Sequence, residues 1–383
     1  MTLPNEAEED RGLGLSWPTM TGPDILCRRL YNQRLGRVQF ERAEEAVGWL
    51  GAVQAQDYGG AKWGLAQRTG GATDVQFDRL FAEGVILRTH VMRPTWHFVL
   101  PHDIRWLLQL TAPRVNAASA YYYRKVGLDE AIFRHSNRAL ARALEGGQQL
   151  TRTELARVLE RAGIPASGIR LAYLMMRAEL DAVVCSGARR GKQFTYALLD
   201  ERAPVAAVLD HDEALAELAR RYFTSHGPAL LQDYVWWSGL TVADARAGVE
   251  MAASHLAADA IDGRTYWSAR VATGAEDRSP VVHLLPNYDE YLIAYRDHTP
   301  AFDPSLFTDA SAVDRVLAGH ILVIDGRVMG GWRRLIEKDR VTVEVEPLAP
   351  LGAAQEEALQ AEVERYEGFI GMPASLVFRQ PSA

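Results

Sequence analysis

The residues with the most chemistry to offer are Gln54 and Gln56, two carboxamides flanking Ala55 in the run WLGAVQAQDYGGAKWGLAQRT. Each carboxamide brings an acceptor oxygen and two N–H donors, and neither titrates. Set one residue apart, they form either a small catalytic site or a device that satisfies the orphan carbonyls and loop amides of a helix end. The residues alone leave both readings open. Ala46, Val47, Leu50 and Val53 trace one face of a helix that runs up to Gln54, and Asp57-Tyr58-Gly59-Gly60 follows as a turn.

Other constellations carry less. Gly187-x-x-x-Gly191-Lys192-Gln193 is one residue short of a phosphate loop and lacks the hydroxyl that would hold magnesium. There is no nucleophile elbow, dinucleotide fingerprint or H-E-x-x-H zinc helix. His90 and His97 lie on adjacent strands, seven residues apart, which does not make a metal site, and a core role is expected for His97 beside Trp96. Asp289 and Glu290 are a carboxylate pair among tyrosines, suited to acid–base work or to a turn with an arginine partner such as Arg296. Cys27 and Cys185 sit in apolar patterns and suit a reducing compartment. No cofactor and no metal are expected.

The chain has 383 residues, 48% hydrophobic and 24% charged, with a formal net charge of -7. Several packed modules are expected at this length. The acidic balance argues against non-specific coating of nucleic acid but leaves room for a local basic face. No secretory signal and no apolar run of membrane-spanning length are present in the sequence, so a cytoplasmic protein without a membrane partner is expected.

The elements that must position the glutamines follow a recurring order. Helical spacing at Ile25, Leu26, Leu30 and Tyr31, then at Ala46 to Val53, then over DVQFDRLFAEG, predicts three helices. Two strands around Met92-Arg93-Pro94 follow, which is the order of a winged helix. The order repeats: a helix with Ser136 or Asn137 as cap, a second with Thr151 or Thr153 as cap and Gly163 as stop, and a third leading into a hairpin turned at Gly187 and Gly191. A third, weaker pass breaks at Gly239 before Thr241. The end of the chain is β-rich, with Asp325-Gly326 as a hairpin turn, and closes on a helix. The expected divisions are a tail at 1–20, winged helices at 21–135, 136–205 and 206–280, and a β-rich part at 281–383.

The pieces AVQAQDYGGAKWGLAQR, RTHVMRPTWHFV, HGPALLQDYVWWSGLTVADAR, LLPNYDEYLIAYRD, DGRVMGGWRR and RYEGFIG together resemble successive motifs of the winged-helix DNA-binding-domain family of bacterial DNA glycosylases, the AlkZ and YcaQ type. The resemblance spans Thr21 to Gly371. It implies an α+β fold of tandem winged-helix modules with a β-rich C-terminal part, forming a concave DNA-binding surface. It also implies excision of alkylated purines, including unhooking of interstrand crosslinks, in repair or in self-resistance to a DNA-alkylating natural product. The family's site is Gln-apolar-Gln in one branch and Gln-apolar-Asp in the other. Gln54-Ala55-Gln56 matches the first, which carries a catalytic role onto Gln54 and Gln56; Asp57 is one residue out of register for the second.

Two amides suffice for one class of substrate. An N7-alkylated guanine is already cationic and leaves readily, so what remains is to place a water and to stabilise an oxocarbenium-like sugar. The expected partner is double-stranded DNA, bound by a monomer. Arg189, Arg190 and Lys192 on the second wing, Arg93 on the first, and Arg333 and Arg334 after the late hairpin are the candidate DNA contacts. Tyr58, Trp63 and His97 are candidate contacts to lesion or sugar, with aromatic core packing the favoured reading for Tyr58 and Trp63. With no lysine near the glutamines except Lys62, a monofunctional hydrolase is expected. The alternative from another class is a non-catalytic winged-helix transcription regulator.

Overall fold

A computed structural model describes residues 22–36, 39–203, 209–270, 280–307, 316 and 318–379. The tail expected at 1–20 lies outside them. After α1 (Gly22–Asn32), one topology occurs three times. The first unit is α2 (Ala43–Leu50), β1 (Val53–Gln54), α3 (Tyr58–Ala66), α4 (Asp74–Glu83), β2 (Leu87–Val91) and β3 (Arg93–Val99), with strand order β1-β3-β2. A long helix, α5 (Ile104–Lys125), leads to the second: α6 (Glu130–Leu144), β4 (Leu150–Thr151), α7 (Arg152–Arg161), α8 (Gly168–Leu180), β5 (Val184–Ser186) and β6 (Thr195–Leu198), ordered β4-β6-β5. After the short α9 (Leu199–Arg202) comes the third: α10 (His211–Ser225), α11 (Leu231–Ser238), α12 (Val242–Met251), β7 (Leu256–Ile261) and β8 (Arg264–Ala269). Here the first strand is reduced to one bridge between Ala229 and Trp267. Each unit is a winged helix. The third looks weak in sequence because a single bridge leaves no strand pattern.

The local chemistry explains most boundaries. Thr73 and Thr151 cap α4 and α7, each in a capping box with Gln76 and Glu154. Asp129, not Ser136 or Asn137, caps α6. Gly51, at φ 81°, ends α2 three residues before Gln54, so the glutamines follow a helix instead of finishing one. The Asp-Tyr-Gly-Gly stretch read as a turn is the first turn of α3, capped by Asp57 through the Gly60 N–H at 3.1 Å. Its glycines serve close approach. A Cβ on Gly64 would lie 2.6 Å from Asp289 Oδ2 and 3.4 Å from Pro286. The helix α1, expected in the first unit, packs elsewhere: Arg29 and Asn32 donate to the carbonyls of Pro228 and Gly227, and Gln33 reaches Glu290 and Tyr295. Helical periodicity shows which face is apolar but not which partner it meets.

The C-terminal part is a five-stranded sheet ordered β13-β12-β11-β10-β9, from β9 (Val282–Leu285), β10 (His320–Ile324), β11 (Arg327–Ile336), β12 (Val341–Pro347) and β13 (Ala374–Phe378). Between β9 and β10 lies α13 (Glu290–Ile293), and α14 (Ala353–Ile370) covers the sheet. One apolar core joins this sheet to the first unit, where Trp63 meets Tyr366 and Phe369. A second core runs through all three winged helices and α5. Asp289, the first of the carboxylate pair, forms a buried two-point ion pair with Arg68 at 2.8 and 2.9 Å, not with Arg296. Gly64→Ala is expected to push on that pair and lower stability by about 1–3 kcal/mol in urea unfolding. A loss below about 0.5 kcal/mol would contradict the tight α3 contact.

Candidate active site

The glutamines lie on the edge of the first sheet. Gln54 pairs with His97 across the antiparallel β1–β3 ladder, and the Ala55 N–H donates to the Trp96 carbonyl at 2.7 Å. Side chains alternate along strands, and directly opposed residues share a face. Gln54, Arg93, Thr95 and His97 therefore fall on one face, and Val53, Ala55, Trp96 and Phe98 on the other; Gln56 lies in the bend just beyond β1. Gln54 is buried and Gln56 exposed. Arg93 Nη2 donates to Gln54 Oε1 at 2.8 Å, while the Trp96 N–H reaches Gln56 Oε1 at 3.5 Å. These hydrogen bonds go to β3, and neither caps a helix.

Because β1 is an edge strand, the Gln54 N–H points away from the ladder. It donates to Glu290 Oε1 at 2.8 Å. The other oxygen of Glu290 accepts from Trp237 Nε1 at 2.9 Å, and His226 Nε2 lies 3.5 Å away. Glu290 is 1% exposed. Burial alone would raise its carboxyl, but the contact with His226 and the Gln54 N–H outweigh it and hold the group below its ordinary value.

The surrounding cations behave differently. Among the described residues no carboxylate lies within ion-pair distance of Arg93. Burial lowers its pKa and Glu290 opposes that. Its guanidinium carbon lies 5.8 Å from the ring of Trp236, which is 45% exposed and whose indole N–H is taken by the Ile293 carbonyl. His97 is pushed down to about 3 by burial, then by Arg93. Its Nδ1–H donates to the Thr95 carbonyl at 3.0 Å. Arg93 Nε, Thr95 Oγ1 and His97 Nε2 are buried with no protein partner on the face that carries Gln54.

The wings do not project freely. Met92, in the first wing's turn, is buried, and a Cβ on Gly239 would lie 2.3 Å from its carbonyl oxygen. This wing is docked on the third unit, so Arg93 turns inward instead of out towards a duplex. On the second wing, Arg189 stacks over Tyr58 and Phe194 at 4.8 and 5.3 Å. Arg190 pairs with Glu154, and Lys192 is exposed. Arg333 pairs with Glu344, and Arg334 lies 3.6 Å from Asp57, which also caps α3. Tyr58 is buried and donates to Asp78 at 2.8 Å. Trp63 is fully buried with its N–H on the Leu284 carbonyl, in the aromatic core. Lys62 is held by Asp74 and Asp78 at 2.7 and 2.8 Å.

The sequence reading missed Thr95, Trp236, Trp237 and His226, and gave Glu290 little weight. The polar alternation Arg93-x-Thr95-x-His97 was a usable strand signal. Nothing local marks Glu290, which reaches Gln54 across 236 positions. From its environment, His97 is expected to stay neutral: an NMR titration of its ring should be flat between pH 5 and 8. A midpoint near 6.5 would contradict the buried placement.

Residues 47–369 match a family model described as DNA glycosylase AlkZ-like. The interstrand DNA cross-link repair glycosylase of Streptomyces sahachiroi is 26% identical over 375 residues, covering 92% of this chain and 98% of that protein. The solved structure of Streptomyces sahachiroi DNA glycosylase AlkZ has the same fold, with a TM-score of 0.76 at 21% identity, over 94% of this chain and 100% of that one. On the extent of the match and the fold together, the chain belongs to the AlkZ-like DNA glycosylase family.

Proposed function

We propose that the protein is a monofunctional DNA glycosylase that hydrolyses the N-glycosidic bond of N7-alkylated purines in duplex DNA, acting as a monomer. The observation that carries this reading is the strand face itself. It carries Gln54, fixed by Arg93, beside polar atoms that have no protein partner, with Gln56 exposed in the bend just past the strand's end.

The chemistry asks little of such a site. The N9–C1′ bond breaks with its electron pair passing to the cationic base, which leaves uncharged. Water adds at C1′ and releases its proton to solvent. Gln54, whose oxygen is occupied by Arg93, offers its amide N–H to the sugar or the water. Gln56, held by one long hydrogen bond, offers its oxygen to the water and to the positive charge developing on the sugar. His97, neutral at physiological pH, supplies no acid, and a base that is already charged needs none. Lys62 is bound by two carboxylates and is not available as an amine nucleophile.

Bulky adducts and interstrand crosslinks belong to the same proposal, because Gln56 is exposed at the edge of the sheet. Two clefts of about 560 and 770 Å³ are lined by neither glutamine. Duplex contacts from Arg190, Lys192, Arg333 and Arg334, all at or near the surface, would hold the DNA across this face. The transcription-regulator reading fits less well, since the first wing and Arg189 of the second are packed against protein.

Duplexes carrying N7-methylguanine, a bulky N7 adduct or an interstrand crosslink separate the readings. Base release and an abasic product are expected from the wild type. The Gln54→Ala, Gln56→Ala double variant should be slower by roughly 100-fold or more, corresponding to the loss of about 3 kcal/mol of transition-state stabilisation. Wild-type rates in that variant, or sequence-specific binding with no release from any duplex, would overturn the proposal. Borohydride is expected to trap no covalent protein–DNA adduct; a trapped adduct lost in Lys62→Ala would instead make the enzyme a lyase.

A further inference from the structure

The hydrogen bonds around Gln54 draw attention to a residue one layer below it. Gln54 is held at both ends. Its backbone N–H is bound by Glu290 Oε1 at 2.8 Å, and its side-chain oxygen by Arg93 Nη2 at 2.8 Å. Glu290 is almost fully buried and Arg93 partly so, and neither makes an ion pair of the two-point kind that joins Asp289 to Arg68.

Glu290 is also fixed from behind. Trp237 Nε1 donates to its second oxygen at 2.9 Å, and Trp237 is fully buried on α11 of the third unit. Its ring lies 5.3 Å from His226, whose Nδ1 is hydrogen-bonded with Ser225 Oγ at 2.8 Å. The carboxylate therefore joins the edge of the first sheet to the third winged helix and to the segment entering α13. An apolar residue here would leave the Gln54 N–H and the Trp237 indole N–H buried without acceptors, so the carboxylate serves both elements at once.

We propose that Glu290 is a positioning residue for the glycosylase reaction: its buried carboxylate, gripped from behind by Trp237, pins the Gln54 backbone and so sets where the Gln54 side chain sits. The inference rests on the glycosylase reading and adds a residue to it. Glu290 does not touch the substrate and acts through Gln54. With one of its two acceptor oxygens lost, the edge strand is released at Gln54. The Gln54 amide then loses its fixed orientation while the fold and the duplex-binding surface stay in place.

The test is a double-mutant cycle on the full-length protein, read as single-turnover release of N7-methylguanine, with duplex affinity and melting temperature measured alongside. Glu290→Gln keeps the size but leaves one acceptor oxygen for two buried donors. It should slow release by roughly 10- to 100-fold with duplex affinity changed less than about threefold. In the Gln54→Ala background the same substitution should cost less than about twofold, because the side chain it positions is gone. A purely structural role would multiply the two penalties instead. If Glu290→Gln does not fold, Trp237→Phe takes its place: it removes the donor to Oε2 and leaves the carboxylate and both glutamines intact. It too should slow release and lose its effect beside Gln54→Ala. Release within twofold of wild type in the folded single variant, or multiplicative penalties in the pair, overturns the positioning role alone. No release by the wild type overturns it together with the glycosylase reading.

Discussion

The structure depends on one buried carboxylate. Glu290 accepts from the Gln54 backbone on one side and from Trp237 on the other, inside a contact between the first and third winged helices. An ionised carboxylate in such a place is tolerated only when donors surround it. Here the donors belong to elements that have to meet for the candidate site to exist: the edge strand β1, helix α11 and the end of α10. Local stability and the geometry of Gln54 are thus tied to the same interaction.

The packing of the wings follows the same logic. In isolated winged helices the wing is a free hairpin available to a phosphate backbone. In this chain the first wing is a tight turn pressed on Gly239, and the second lays Arg189 on Tyr58 and Phe194. The repeated module has become a set of mutually supporting parts with shared cores. What this leaves is the polar face of the β1–β3 ladder, where Arg93 Nε, Thr95 Oγ1 and His97 Nε2 have no protein partner.

Much of the fold was legible in the sequence. The second winged helix follows from the Thr151 cap, its stop glycine and its hairpin glycines, all of which act locally, although Asp129 and not Ser136 or Asn137 starts its first helix. The third was blurred because its first strand is a single bridge at Ala229. Helix α3 was hidden because Gly59, Gly60 and Gly64 look like a turn, whereas Gly60 and Gly64 let the helix lie against Pro286 and Asp289. Of the candidate site, Gln54 and Gln56 stood out by type and spacing. Their setting did not, because a strand two residues long has no periodicity and Gly51 ends the preceding helix early. The basic residues were the least legible. Sequence shows that Arg93 and Arg189 are near turns, but it does not show that each is drawn inward, one onto an amide and the other onto aromatic rings.

The central claim is that the lesion meets the protein at the polar face of β1 and β3. A crystal structure of the protein bound to a duplex carrying a stable abasic-site analogue measures this directly. The account predicts the analogue's sugar within hydrogen-bond distance of the Gln54 or Gln56 side chain, with Gln54 still joined to Arg93 and Glu290. A duplex seated on another face, with Gln56 left exposed to solvent and the abasic sugar away from both glutamines, would contradict it.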